Sequence, residues 1–384
     1  MPLFTNRKLS RAGELLTAAQ QEHEAGRFTS AERLARESVE LYTGAGRPGV
    51  EGVVAGRAAL GRALREQGRA AEAESELRAA LDTPGVAGVA EAVLRLELVD
   101  ALWADRRCDE AMDEIGRAVA VAGAVAGATD LRLSAGQAQA LMLGEVGRHR
   151  EAVEVLVDLA EVARRMAPPR PEFALVADSD RVAQLAWLGE HAEAEALALR
   201  VRAATATVAE PVATPIRLWA GHNLAVSLLL RGRHAEAEGL LREAMAETGG
   251  ADRFGFLLCL HLSRALIGQG DPAAAQQAVE TAESIGTEMS GLTEQDLSIL
   301  GLAAANVLLA LEQPVEAEQQ AREALTRCAD APSHRVLELR TALGIAKLRQ
   351  GRGDSALAGA VADWRAHFGE EHHGTVAARE ALAG

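Results

Sequence analysis

The sequence predicts an all-α solenoid of about nine antiparallel helix-turn-helix units with a C-terminal capping helix, because three residue columns recur together. Aligned on the alanine of each "AEAE"-type segment, nine copies fall into register at Ala31, Ala73, Ala111, Ala152, Ala194, Ala237, Ala275, Ala317 and Ala356. Five residues upstream, seven of the nine carry glycine: Gly26, Gly68, Gly147, Gly189, Gly232, Gly270 and Gly351. Nine residues upstream, seven carry leucine: Leu64, Leu102, Leu143, Leu185, Leu228, Leu266 and Leu308. Self-similarity at about this period marks stacked supersecondary units, each of which leaves a face that only its neighbours can cover.

Each column has a mechanical reason. Leucines such as Leu224 and Leu228 stand at i and i+4, on one face of a first helix. The glycine ends that helix by taking the left-handed conformation that other residues resist. Glu72, Glu110, Glu151, Glu193, Glu236 and Glu316 precede the alanine, in the first turn of a second helix, where negative charge is favoured. The alanine is small, so two antiparallel helices can approach. Between copies the period is lost in "TGAGRPG", "DTPGVAG", "APPRPE", "AEPVATP", "TGGADRFG", "GTEMSG" and "DAPSHR", which read as inter-repeat loops. The expected organisation is one domain over 1–384: an N-terminal cap at about 1–9, repeats at about 10–371 and a cap helix at about 372–384.

Composition narrows the function classes. The 384 residues are 48% apolar but only 3% aromatic, with Tyr42 the single tyrosine, so Ala, Leu and Val must do the packing. A formal charge of -15 argues against nucleic acid or an anionic membrane surface as partner, since both require a basic footprint. Cys108, Cys259 and Cys328 lie far apart without metal-ligand spacing and read as small buried hydrophobes in a reducing compartment. "MPLFTNRKLSRAGELL" lacks a secretory apolar core, and the longest uncharged stretch, "AVAVAGAVAGAT", is too short to span a bilayer. A cytoplasmic location is expected.

The chemical motifs reduce to structural readings. "GAGRPG" at 44–49 has the letters of a dinucleotide glycine pattern but follows a helix, contains proline and has no strand before it. His372 and His373 beside Glu370 and Glu371 cannot all face one ion from a regular helix, and read as a solvated loop. "PPRP" at 168–171 reads as a helix-stopping loop. His149, His191 and His234 share one repeat position beside the turn and read as packing residues. No P-loop, HExxH, GxSxG or calcium loop occurs, so no catalytic residue, metal site or cofactor is expected.

A helix pair with Leu, Gly and Ala at these offsets resembles the tetratricopeptide repeat family over about residues 10 to 384. The period near 41, "NLAVSLLLRGRHAEAEGLLREAM" and the ending "FGEEHHGTVAAREALA" are similar to the longer subtype of kinesin light chains and of bacterial proteins in which such repeats follow a signalling ATPase. The resemblance implies a right-handed superhelix whose first helices line a concave face that takes extended or helical peptides. Carried over by register, the lining candidates are Arg62, Arg65, Asp100, Trp103, Asp180, Trp187, Trp219, His222, Asn223, His261, Arg264 and Asn306, with Val226 and Leu229 on the Trp219 stripe. Asparagine can grip a peptide backbone through both its carbonyl and its amide. Trp103, Trp187 and Trp219 read equally as peptide anchors or as inter-repeat core, and His222 and His261 offer a polar or pH-sensitive contact. The expected function is a non-catalytic scaffold for a protein or peptide segment. The alternatives are a regulatory receptor for a small signalling peptide acting through a second protein, or a self-associating structural protein such as a homodimer.

Overall fold

The computed structural model describes residues 2–167, 170–249, 252–289, 292–328, 333–353 and 355–383. Pro168 and Pro169 of the "PPRP" loop, and residues 330–332 of "DAPSHR", lie outside them. The described residues form nineteen α-helices and no strand, the all-α repeat solenoid that the three columns predict. The chain divides into two compact units, Met1–Gln139 and Ala140–Gly384. The first holds α1 (Pro2–Glu24), α2 (Phe28–Gly44), α3 (Val50–Glu66), α4 (Ala70–Leu81), α5 (Val89–Ala104), α6 (Cys108–Ala124) and the start of α7 (Thr129–Glu145). The second holds the end of α7, then α8 (His149–Arg164), α9 (Pro171–Trp187), α10 (His191–Ala204), α11 (Ala213–Leu230), α12 (His234–Thr248) and α13 (Arg253–Gly268). It continues with α14 (Pro272–Glu288), α15 (Glu294–Ala310), α16 (Pro314–Arg327), α17 (His334–Arg349), α18 (Ser355–Phe368) and α19 (His373–Ala383). Residues 2–9, expected as a separate cap, are the first turns of α1.

One junction recurs in all nine copies. The seven column glycines have φ between +69° and +81°. The two copies without glycine put Arg106 (φ +62°) and Glu312 (φ +59°) in the same place, and these are the only non-glycine residues with positive φ among the described residues. The next residue then donates its N–H to the carbonyl five positions before it, as in Arg69 to Leu64, Arg107 to Leu102, Arg233 to Leu228 and Gln313 to Leu308, at 2.8–3.0 Å. This is the Schellman closure of a helix end. It accounts for the leucine column twice over: the side chain packs, and the carbonyl receives the closing bond.

The second helix begins three residues before the column alanine in eight copies, and those eight alanines are at most 1% exposed. The ninth copy slips by one. Ala356 is half-buried, and Leu357 takes the packed position against Gly344, where an added Cβ would come within 2.7 Å of the leucine backbone.

A fourth column, absent from the expectations above, ties copies together. The residue after the junction is arginine in six of nine copies. Arg69 pairs with Glu72 three residues on (2.6 Å) and with Glu32 of the preceding copy (2.7 Å). Arg107 repeats this with Glu110 and Glu74, and Arg233 with Glu236 and Glu195. Glu72, Glu110, Glu151 and Glu236 therefore answer a guanidinium as well as the helix dipole. Exposed pairs of this kind contribute only about 0.2–1 kcal/mol each, so the clamp sets register more than stability.

Candidate functional site

The second unit folds back on itself around a groove of about 230 Å³. Its first-helix stripes supply the walls. Trp187 and Gln184 come from α9, His222, Asn223, Val226 and Leu229 from α11, His261 and Arg264 from α13, and Gln295, Ile299, Leu302, Ala303 and Asn306 from α15. Residues at two distant points of the chain close it. Glu145 and His149 face His334, Arg335 and Glu338 of α17, and Arg335 Nη1 donates to Glu145 Oε2 at 2.6 Å across 190 positions. Arg264 Nη1 donates to Glu338 Oε1 at 2.9 Å. Both groove guanidiniums thus meet a carboxylate already.

A directed hydrogen-bond chain crosses the wall. The Leu257 carbonyl, 3.0 Å from His261 Nδ1, can only accept, so Nδ1 carries the proton and shares it with His222 Nε2 at 3.1 Å. His222 Nδ1 then donates to Asn223 Oδ1 (3.3 Å), and Asn223 Nδ2 donates to the Ser179 carbonyl (2.8 Å). Burial drives His222 down to about 4, and burial together with the neighbouring His222 drives His261 to about 3, so both imidazoles are neutral.

Six of the twelve lining candidates come together here: Trp187, His222, Asn223, His261, Arg264 and Asn306. Asn223 is 5% exposed, with its amide given to Ser179, and is a brace for α9 and α11 rather than a free peptide grip. Asn306, half-buried, and Gln295 carry the amides on the α15 stripe. Trp219 is 38% exposed beside the groove, its ring 4.6 Å from Phe254 and edge-on to His222. Asp180 is half-buried outside the lining, and burial pushes its carboxyl up to about 7. The other four belong to the first unit, where Arg62 pairs with Glu97 (2.8 Å) and Arg65 with Asp100 (2.5 Å), between α3 and α5, while Trp103 is half-buried.

His372 corrects the solvated-loop reading of the "HH" pair. It is 8% exposed, and its Nε2 donates to the Trp187 carbonyl at 2.7 Å. His149, His191 and His234 are the first residues of α8, α10 and α12, and His149 Nδ1 donates to Gln184 Oε1 at 2.7 Å. Among the described residues no group of three His, Cys, Asp or Glu is placed to hold a metal, and no helix is long and apolar enough to cross a membrane. Repeat register could not reveal Glu145, His149, His334, Arg335 or Glu338, because closure, not the stripe, brings them to the groove.

Residues 217–248, which span α11 and α12, match the tetratricopeptide repeat family. No curated protein sequence matches the chain. Among solved structures, NprR in complex with its cognate peptide NprX is similar at a TM-score of 0.60 and 11% identity, over 93% of this chain and 97% of that one. The Rap conjugation gene regulator of plasmid pLS20, in complex with the Phr* peptide, is similar at 0.58 and 14% identity, over 97% and 96%. The apo form of the quorum sensor NprR from B. thuringiensis is similar at 0.53 and 12% identity, over 97% and 98%. With nine recurring hairpins, one of which, residues 217–248, matches the family, the chain has the fold of a tetratricopeptide-repeat solenoid.

Proposed function

We propose that the second unit's groove binds a peptide or a segment of a partner protein, and that the protein is a non-catalytic interaction module. The observation that carries this reading is the chemistry of the groove wall: an apolar stripe bearing the Gln295 and Asn306 amides, with every arginine on it paired. Such a wall suits the backbone amides and uncharged side chains of a peptide, because an acidic residue would have to displace an existing ion pair. At about 230 Å³ the groove lies below the roughly 300–1,000 Å³ of small-molecule clefts and suits anchoring side chains of a longer segment. The regulatory-receptor reading draws support from the similar NprR and Rap structures that hold peptides.

Ala303, 8% exposed on the groove wall, allows the test. A displayed library of random heptapeptides is panned on the protein and on Ala303→Trp, whose indole would fill the groove. Enriched peptides should lose at least about tenfold in affinity for the variant. Peptides that bind both proteins alike, or a library that yields none, would remove the groove from the function.

A further inference from the structure

Five histidines collect around one indole where α7, α8 and α9 meet α17, α18 and α19. Trp187 stacks on His334 with ring centres 3.9 Å apart, and His373 and His149 lie 5.8 Å and 6.2 Å from it. His149 also meets His334 at 5.1 Å, His372 meets His373 at 3.9 Å, and His191 meets His373 at 5.7 Å. Phe368 covers the cluster from α18, 4.6 Å from His372 and 5.8 Å from His149.

The surroundings oppose charge on every ring. His149, His191, His334 and His373 are each the first residue of a helix, where the positive end of the dipole repels an imidazolium. His149 Nε2, His334 Nδ1 and both ring nitrogens of His373 are buried without a hydrogen-bond partner, so an added proton there finds no acceptor. His372 uses both nitrogens in its neutral form, donating to the Trp187 carbonyl and accepting from the Gly374 N–H. The facing cations are Arg335 and Arg264 toward His334, Arg264 toward His373, and Arg231 toward His191. The facing carboxylates are engaged: Glu145 by Arg335, Glu338 by Arg264, and Glu370 by Arg365 and Arg379. Glu371 and Glu380 flank the outer side near His191 and His373.

We propose that this seam is a proton-operated latch, in which protonation of the histidine cluster releases α17, α18 and α19 from α7, α8 and α9 and opens the groove while the hairpins stay folded. The latch does not depend on what the groove binds. Burial lowers all five histidines below the usual 6.5, most strongly His334 and His373. A released histidine titrates near 6.5, so the closed form is fully favoured above that pH and loses ground as pH falls below it. That window lies above the ordinary carboxylate range, which separates it from general acid unfolding.

Hydrogen–deuterium exchange of the full chain at pH 7.5 and pH 5.5, corrected for intrinsic exchange, tests this. Protection of α19 and of residues 184–190 should fall at least about tenfold at pH 5.5, the factor given by one proton taken up one unit below 6.5. The far-ultraviolet circular dichroism should be the same at both pH values, because the hairpins stay folded. His334→Phe with His373→Phe should make the fall smaller, and should that pair lose its helical circular dichroism, His373→Asn, at a half-buried position, should reduce it. Unchanged seam protection in the wild type, an equal fall in the folded variant, or a loss of helical circular dichroism in the wild type at pH 5.5 would overturn the latch.

Discussion

Arg335 and Glu145 form a salt bridge between residues 190 positions apart, with side chains only 12% and 24% exposed, and so join the two ends of the second unit. Burial alone would lower the Arg335 pKa, but Glu145 outweighs it and holds the guanidinium above its ordinary value. Removing either partner should leave the other buried and uncompensated. Arg335→Ala is expected to cost about 3 kcal/mol, and Glu145→Met with Arg335→Met should recover most of that loss. Urea unfolding of the two singles and the double gives the cycle.

Glu312 occupies a backbone position that seven other copies give to glycine. A side chain at φ +59° carries a steric cost that glycine lacks. Glu312→Gly should therefore stabilise by about 1 kcal/mol, and Gly232→Ala should destabilise by a similar amount. Thermal midpoints moving in opposite directions would bear this out, and a destabilised Glu312→Gly would contradict it.

Ala237, fully buried between α11 and α12, sits where two helices meet closely. Ala237→Leu should overpack that contact and lower stability by about 1–3 kcal/mol, read as a shift in denaturant midpoint at constant slope.

The His222–His261 pair gives the groove wall a pH dependence of its own. Both folded-state values lie below 6.5, at about 4 and about 3, so the pair's contribution is complete above pH 6.5 and declines as pH falls toward them. Between pH 7 and pH 5 the wild type should lose roughly 2 kcal/mol for each histidine that remains unprotonated in the fold. His222→Leu should lose correspondingly less over the same interval. Equal losses in the two proteins would show that the pair does not report on folding.

The hairpin grammar was legible because it is local. Leu228, Gly232 and Ala237 each act within one turn or one helix pair, so their types and spacing alone predict the junction seen in every copy. The groove was half legible for the same reason: His222, His261 and Asn306 follow from the helical stripe. The engagement of Asn223 was not legible because its partner, the Ser179 carbonyl, lies 44 residues away on another helix. Closure leaves no periodic trace, and only the unusual placing of histidine at His149, His191 and the "HH" pair hinted at it. The arginine after each junction was visible in the letters, but its two partners appear only once consecutive hairpins are stacked.

Where that arginine clamp recurs, one hairpin meets the next in the same way, so such a stretch could grow by duplicating a single cassette. The seam withdraws that freedom from the second unit. An extra cassette between Trp187 and His334 would carry the terminal helices past the partners they must rejoin. Tally and calibre are thus coupled there: inheritance can vary the side chains along the wall, but not the number of hairpins that enclose it.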